Sequence, residues 1–541
     1  MAMTVPEDAG RDADEVPWWR RGVVYQVYPR SFSDSDGDGV GDLPGIAAKL
    51  GHLRALGVDA VWISPFYPSP MRDFGYDVTD HRGVDPLFGT LEDFDRLLAR
   101  AHALGIRVIL DYVPNHTSDL HPWFAESRAS RESPRRDWYV WRDPAPGGGP
   151  PNNWLSTFGG SAWTLDQATG QYYLHTYLRE QPDLNWRNPA VEAEMLEVMR
   201  FWLDRGVDGL RVDAVQNVIK DDRFRDNPPN PAFRPGDDPF TRLLRVHSGD
   251  RPEVHGVIAK MRRVVEEYAG DRVLIGEIYN TVERLVAYYG EGGRGCHFPY
   301  NFQLIVLPWK AREIDAAIRR YESLLPPGAW PSWVLGNHDR ARIASRVGRA
   351  QARVAAVLLL TLRGTPTIYY GDEIGMTDVP IPPERVRDPF ELNVPGMGLG
   401  RDPERTPMQW SAAPGAGFTT GAPWLPVAAD YRVTNVETQR CDPESMLALH
   451  QRLLALRRAE PALALGTYTP VDAEGDVLAY LREHAGSRFL VALNLGPSPA
   501  SLAFDGAGEV ALSTHPDARD APVRGRVALR GDEGVVVRLS P

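Results

Sequence analysis

The chain has 541 residues, enough at roughly 100 to 200 residues per domain for several domains and a sizeable core. With 43% hydrophobic and 24% charged residues, it has the composition of a folded globular protein, which excludes a disordered, collagen-like or coiled-coil chain. Lys+Arg 60 against Asp+Glu 72 gives a net charge of −12 with no basic block, so nucleic acid is not an expected partner and a neutral small ligand fits better. No run reaches the roughly 20 apolar residues of a membrane helix, and the start MAMTVPEDAGRDADEVPWW is acidic where a secretory leader is basic and then apolar. A cytoplasmic protein is expected, with residues 1–17 disordered and no membrane partner. Cys296 and Cys441, far apart in sequence, suit a reducing compartment and two free thiols.

From Trp18 onward, short apolar β-branched runs recur between longer amphipathic segments, the rhythm of βα units. In chain order they are Val23 to Tyr28, Ala60 to Ser64, Val108 to Asp111, Gly209 to Asp213, Val273 to Glu277, His297 to Phe302, Val334 to Leu335 and Thr367 to Tyr370. Eight such runs predict an α/β fold, a (β/α)8 TIM barrel. The 102 residues from Asp111 to Asp213 exceed one unit, so an inserted domain is expected at 117–185, with PGGGPPNN at 146 to 153 as loop chemistry. The barrel then covers residues 18–116 and 186–463. A second long loop, Lys220 to Glu253, and a third, Met376 to Trp410, also follow strands. After the helical pattern PESMLALHQRLLALRRAEPAL come alternating stretches (VLAYL, FLVALNL, EVALS, RVALR, GVVVRL), which predict a C-terminal antiparallel β domain over 464–541.

Side chains at the C-terminal ends of barrel strands converge on one open face. Arg211 and Asp213 end the fourth run two residues apart and so point to the same side. A guanidinium there keeps Asp213 ionised, a competent nucleophile, although a structural ion pair in the barrel core reads equally well. Glu277 ends the fifth run behind apolar residues that would desolvate it and favour its protonated form; alone, it is also a plausible helix-start carboxylate. A proton-bearing Glu beside an ionised Asp is the division of labour that glycosidic cleavage requires. Gly336-Asn-His338-Asp339 closes the seventh run, with Asp339 suited to stabilising an oxocarbenium-like charge and His338 either a sugar donor or a satisfied core histidine. Asp73 and Tyr76 after the second run, and His116 after the third, offer hydrogen bonds and a stacking face, or are ordinary turn residues. Asp34, Asp36, Asp38 and Asp42 place four carboxylates within nine residues around glycines, a pattern for an oxygen-coordinated Ca²⁺, although Gly45 stands where an EF-hand loop has its bidentate glutamate. An exposed acidic turn is the other reading.

Together these segments make the chain, over residues 18 to 541, resemble glycoside hydrolase family 13, the α-amylase family, and within it the bacterial α-glucosidase and oligo-1,6-glucosidase branch. Four motifs stand in the family's order: DYVPNH at 111 to 116, GLRVDA at 209 to 214, IGE at 275 to 277 and NHD at 337 to 339. QPDLNW at 181 to 186 and GRDPERTPMQW at 400 to 410 resemble further segments of that branch. The resemblance implies Asp213 as nucleophile, Glu277 as general acid/base and Asp339 as transition-state stabiliser. It also implies that Asp73, Tyr76, His116, Arg211, His338 and Arg401 hold the terminal glucose, with Asp73 and Arg401 pairing behind it. It makes the acidic loop a structural calcium or magnesium site, with the Val40 carbonyl as an added ligand. The implied activity is that of a retaining, exo-acting α-glucosidase on short α-glucosides or oligosaccharides, and Ala214, where a valine accompanies α-1,6 cleavage in related enzymes, favours α-1,4 bonds. A glucosyl-transferring or isomerising enzyme, such as a sucrose isomerase or trehalose synthase, and a noncatalytic binding or scaffold protein are the rivals; monomer and dimer are both compatible with the sequence.

Overall fold

The structure, a computed structural model, describes residues 16–540. Of the stretch expected to be disordered, residues 1–15 lie outside the described residues, whereas Val16 is buried among Trp18, Trp19 and the barrel floor. In chain order come β1 (Val24–Val27), β2 (Ala60–Ile63) and β3 (Arg107–Tyr112). Three short strands follow, β4 (Trp141–Arg142), β5 (Trp163–Asp166) and β6 (Gln171–Leu174), and then β7 (Gly209–Val212), β8 (Val273–Gly276), β9 (Phe298–Pro299), β10 (Ser332–Val334) and β11 (Thr365–Tyr369). Eight of these form one sheet in the order β10-β11-β1-β2-β3-β7-β8-β9, all neighbours parallel. It is a nearly closed barrel in which no ladder joins β9 to β10 among the described residues. β4–β6 form a separate antiparallel sheet between β3 and β7.

The period of two along each strand divides the core. Val24, Ala60, Trp62, Ile109, Val273, Ile275, Phe298 and Tyr300 fill the lumen. Their neighbours Tyr25, Val61, Val108, Leu110, Leu210, Val212 and Leu274 face the surrounding helices. Helix Leu91–Ala103 shows how a helix meets that outer face: Thr90 and Asp93 make a capping box, and Phe94, Leu97, Leu98 and Ala101 form its buried stripe. Such a cap contributes about 1 kcal/mol.

The last strands depart from expectation in extent. Pro299 lacks the N–H that would continue the ladder, so the sixth strand is Phe298–Pro299 rather than 297 to 302. The seventh begins earlier, at Ser332. After the helix Met446–Ala459, six strands form a second antiparallel sheet in the order β12-β13-β14-β17-β15-β16: β12 (Thr467–Val471), β13 (Val477–His484), β14 (Ser487–Asn494), β15 (Ala500–Ser513), β16 (Pro522–Leu529) and β17 (Gly534–Leu539). β12 escaped the sequence reading because it is a half-exposed edge strand with a proline, and β15 starts well before EVALS. Among the described residues no helix is long and apolar enough to cross a membrane.

Candidate active site

The ladder itself sets the two central carboxyls side by side. Val212 is in register with Gly276, so Asp213 and Glu277 are the next residues of neighbouring strands. Their backbone N–H groups extend the parallel pattern, Asp213 to the Tyr112 carbonyl at 2.8 Å and Glu277 to the Val212 carbonyl at 3.0 Å. Alternation points both side chains inward, above the lumen residues Arg211 and Ile275. Both line one cavity of about 760 Å³ at the C-terminal end of the barrel.

Arg211 lies beneath them, about 1% exposed, as the hub of the site. Its Nη1 is 2.5 Å from Asp111 and 2.9 Å from Asp213, and its Nη2 is 2.6 Å from Glu277. This differs from the sequence expectation in two respects. Arg211 stands behind the cavity wall rather than on it, and it does not serve Asp213 alone. One guanidinium spread over three carboxyls cannot keep all of them ionised. Burial and the charge of Glu277 push Asp213 up against the pull of Arg211, burial pushes Glu277 up as well, and burial raises Asp111 to about 6. The upward shifts of Asp213 and Glu277 are therefore a property of the pair rather than of Glu277 alone.

His338 is also buried, about 1% exposed, with the Tyr28 ring near-parallel at 5.6 Å (18°) and the Tyr76 ring parallel to it at 5.5 Å (3°), its hydroxyl at the imidazole edge. A directed chain fixes its tautomer. Gln26 Nε2 donates to Nδ1 at 2.7 Å, Nε2–H donates to the Tyr76 hydroxyl at 2.7 Å, and that hydroxyl donates to Asp111 at 3.2 Å. Burial holds the imidazole at about 3, so it is neutral at any working pH. His338 and Arg211 are not among the residues lining the cavity, but they hold Tyr76, Asp213 and Glu277, which are.

Asp339 faces the cavity with Arg401 at 3.0 Å and Arg405 at 2.8 Å. Burial pushes its carboxyl up, but the Arg401 and Arg405 guanidinium groups outweigh that and hold it well below the usual range, ionised. Arg401 also reaches Asp73 at 2.8 Å and Asp388 at 2.7 Å, so one side chain from the loop after β11 spans the inner end of the cavity. His116 sits on the same wall, its Nε2 3.1 Å from both the Tyr76 carbonyl and Gln181 Nε2, while Gln181 donates to Asp73 at 3.1 Å.

Of the expected site residues, Asp73, Tyr76, His116, Asp213, Glu277, Asp339 and Arg401 line this one cavity. Sequence reasoning did not single out Arg405, Asp388, Gln181, Tyr177 or Phe158. Gln181 and Arg405 lie inside QPDLNW and GRDPERTPMQW and were legible as members of those segments. Tyr177 and Phe158 come from the inserted segment, and no local pattern marks them.

The acidic loop is elsewhere, packed on residues 419–424. Asp34, Asp36 and Asp42 offer carboxylate oxygens within 4.8 Å of one another, an all-oxygen donor set that fits a hard divalent cation. Asp38 stands outside this trio and accepts from the Val40 N–H at 2.7 Å, so the side chains present a three-carboxylate cluster rather than the expected four.

Comparison with known proteins agrees with this geometry. Residues 26–466 match the family model described as alpha amylase, catalytic domain, and the chain belongs to that family. It is 43% identical over 502 residues to a probable alpha-glucosidase of Rhizobium meliloti (strain 1021), covering 90% of each chain. It is 40% identical over 526 residues to an oligo-1,6-glucosidase of Heyndrickxia coagulans, covering 90% of this chain and 93% of the relative. Among solved structures, an alpha-glucosyl transfer enzyme superposes with a TM-score of 0.92 at 43% identity, covering 97% of this chain and all of that one.

Proposed function

We propose that this member of the alpha-amylase family is a retaining, exo-acting α-glucosidase with a preference for α-1,4 bonds in short oligosaccharides or α-glucosides. The observation that carries the reading is the juxtaposition of Asp213 and Glu277 over one guanidinium, in a cavity whose inner end is closed by Asp73, Arg401 and Asp339. A terminal glucose entering such a dead end presents its anomeric carbon to Asp213 and its glycosidic oxygen to Glu277. Asp213 attacks the carbon, the bond to the oxygen breaks, and Glu277 gives that oxygen its proton. Glu277 then takes a proton from water, which displaces Asp213 and releases α-glucose. The charge that develops on the ring faces Asp339, kept ionised by Arg401 and Arg405.

Ala214 lines the cavity directly after the nucleophile, and its small side chain supports the α-1,4 preference. The acidic loop is a structural site: Asp34, Asp36 and Asp42, with Asp38 and the Val40 carbonyl at its margin, would hold Ca²⁺, or Mg²⁺, whose charge neutralises the cluster. The free thiols, Cys296 buried and Cys441 exposed, support a reducing, cytoplasmic setting.

The test is a side-by-side assay of maltose, isomaltose, sucrose, trehalose and an aryl α-glucoside, with the anomer of the first-released glucose followed by NMR. Initial α-glucose, fastest from maltose, is expected, and initial β-glucose would exclude the mechanism. The resemblance to an alpha-glucosyl transfer enzyme favours one second reading, in which a sugar or alcohol replaces water in the second step. Product analysis at high maltose separates the two, since transfer leaves new disaccharides and hydrolysis leaves free glucose.

A further inference from the structure

The opposite end of the barrel carries a second cavity, of about 290 Å³, separated from the catalytic one by the packed lumen. Its walls are Trp18 before β1, Asp59 before β2, Arg107 at the start of β3, and Arg457 and Arg458 on the helix Met446–Ala459.

The charges around it do not balance. Asp59 is engaged on both oxygens, with Arg458 at 3.0 Å and the Val23 N–H at 2.9 Å. Arg107 lies over the Trp18 ring at 4.8 Å and makes no ion pair among the described residues. Arg457 is about 2% exposed and donates only to carbonyls, those of Leu360 (3.1 Å), Leu463 (3.0 Å) and Gly364 (2.7 Å) among them. Its Nε–H has no hydrogen-bond partner among the described residues. Arg21 also lines the cavity and is engaged in contacts of its own. Among the other described lining residues these three guanidinium groups face one carboxylate, which leaves two positive charges in excess where the cavity walls lower the dielectric.

We propose that this cavity is a binding site for a phosphate-class oxyanion, either free phosphate or a small phosphate ester. Two excess positive charges match the −1.5 to −2 that a phosphate group carries near neutral pH. The fork geometry of arginine suits its oxygens. The size limits the rest of the ligand: small-molecule pockets run from about 300 to 1,000 Å³, and this one stands at the lower bound, too small for a nucleotide. Because the walls come from both the barrel floor and the helix that leads to the C-terminal sheet, an occupant ties those two parts together and stabilises the folded chain by mass action. The site is independent of the glucosidase reading.

The experiment is calorimetric titration of the full chain with inorganic phosphate and, separately, glucose 6-phosphate. Ionic strength is held constant with NaCl, and glucose is present to occupy the catalytic cavity. One saturable site is expected, about tenfold weaker in Arg107→Gln and in Arg458→Gln, the loss of one charge-assisted contact. Asp59→Asn, which removes the single opposing charge and keeps an acceptor for the Val23 N–H, is expected to tighten binding several-fold, an effect that a merely structural role would not produce. Arg458 is exposed, so its variant remains folded even if Arg107→Gln does not, and thermal melts without ligand check both. Tighter binding of phosphate identifies the free ion as ligand, and tighter binding of the ester identifies a sugar phosphate. Heats no larger than the NaCl control, or an affinity unchanged in both arginine variants, would overturn the proposal.

Discussion

The carboxylate of Glu277 accepts a hydrogen bond from the backbone N–H of Ala214 at 3.0 Å, so the residue that follows Asp213 anchors the neighbouring acid. Ala214 does this from a left-handed conformation, φ 46° and ψ 31°, which costs an alanine about 1–2 kcal/mol and a β-branched residue more. Ala214→Val is therefore expected to move that N–H and narrow the cavity at once. The expected outcome is at least about a tenfold loss of kcat/KM on maltose, corresponding to 1.4 kcal/mol, with isomaltose affected less. Ala214→Gly, which relieves the strain and keeps the N–H, should stay near wild type. Parallel kcat/KM measurements on both sugars decide it, and an unchanged ratio in the valine variant would remove Ala214 as a linkage determinant.

Asp213→Asn removes the nucleophile while leaving an isosteric group beside Arg211. Turnover should fall by about 10⁴-fold or more with the fold retained by circular dichroism. Glu277→Gln is expected to behave differently: natural substrates lose the proton donor, worth about 10²–10⁴-fold, whereas an aryl α-glucoside with a good leaving group loses far less in its first step. Equal losses on maltose and the aryl substrate would deny Glu277 its acid role.

The eight barrel strands and the carboxyls at their ends were legible because both rest on local pattern, apolar runs at strand length and a period of two that sends Asp213 and Glu277 inward. The role of Arg211 was only half legible. Its alternation with Asp213 places them together, but Asp111 and Glu277 reach the same guanidinium from the strands on either side, and that crowding exists only once the barrel has nearly closed. Arg405, Asp388 and Gln181 were harder still. They lie on long loops with no period, and their positions are set by the partners they meet, Asp339, Arg401 and Asp73. The Pro299 break is the reverse case, a visible breaker inside an apolar run that outweighs the run.

Arg401 is the common partner of Asp73, Asp388 and Asp339, and its loss would leave three carboxylates facing one another. Removing one partner of a buried pair costs about 3–5 kcal/mol, so Arg401→Ala is expected to lower stability as well as activity. Asp73→Asn isolates the function. It keeps the shape and the Gln181 contact but loses a charge-assisted bond worth about 1.5–3 kcal/mol. KM for maltose should rise roughly tenfold or more, with a smaller change in kcat. Steady-state kinetics on maltose against longer maltooligosaccharides would check the closed end: if the variant gained activity on interior bonds, Asp73 and Arg401 would be confirmed as the barrier.

The acidic loop predicts a stability effect without a kinetic one. Ca²⁺ at about one hundred times its dissociation constant would stabilise the folded chain by about 2.7 kcal/mol, and a chelator would remove that increment. Asp36→Asn is the suitable variant, because Asp36 is exposed and caps no helix, whereas Asp42 accepts from Gly45 at the start of helix Leu43–Leu56. Melting curves with Ca²⁺, with Mg²⁺ and with chelator should differ by a few degrees in the wild type and coincide in Asp36→Asn. Catalysis at 25 °C should be unaffected. Identical melts in the wild type under all three conditions would make the loop an acidic turn.

His338 gives a pH dependence with a definite sign. Its folded pKa, about 3, lies below the ordinary value of 6.5, because burial between Tyr28 and Tyr76 excludes the charged form. Below pH 6.5 the unfolded chain takes up a proton that the folded chain refuses, so the stability this group contributes is complete above 6.5 and is lost progressively as the pH falls toward 3. Between pH 6.5 and 4 the loss amounts to about 3 kcal/mol at 1.36 kcal/mol per unit. His338→Asn cannot titrate, so although it melts lower than the wild type at pH 7, its melting temperature should fall less steeply on acidification, and the gap between the two should close by pH 4. The same neutrality means that neither limb of the kcat/KM profile belongs to His338. The alkaline limb follows the shared proton of Asp213 and Glu277 and should be unmoved in His338→Asn even where the rate is reduced. Parallel acid slopes for the two proteins would show that His338 is protonated in the folded chain, and the Gln26 amide would then have to turn its Oε1 to accept from Nδ1–H.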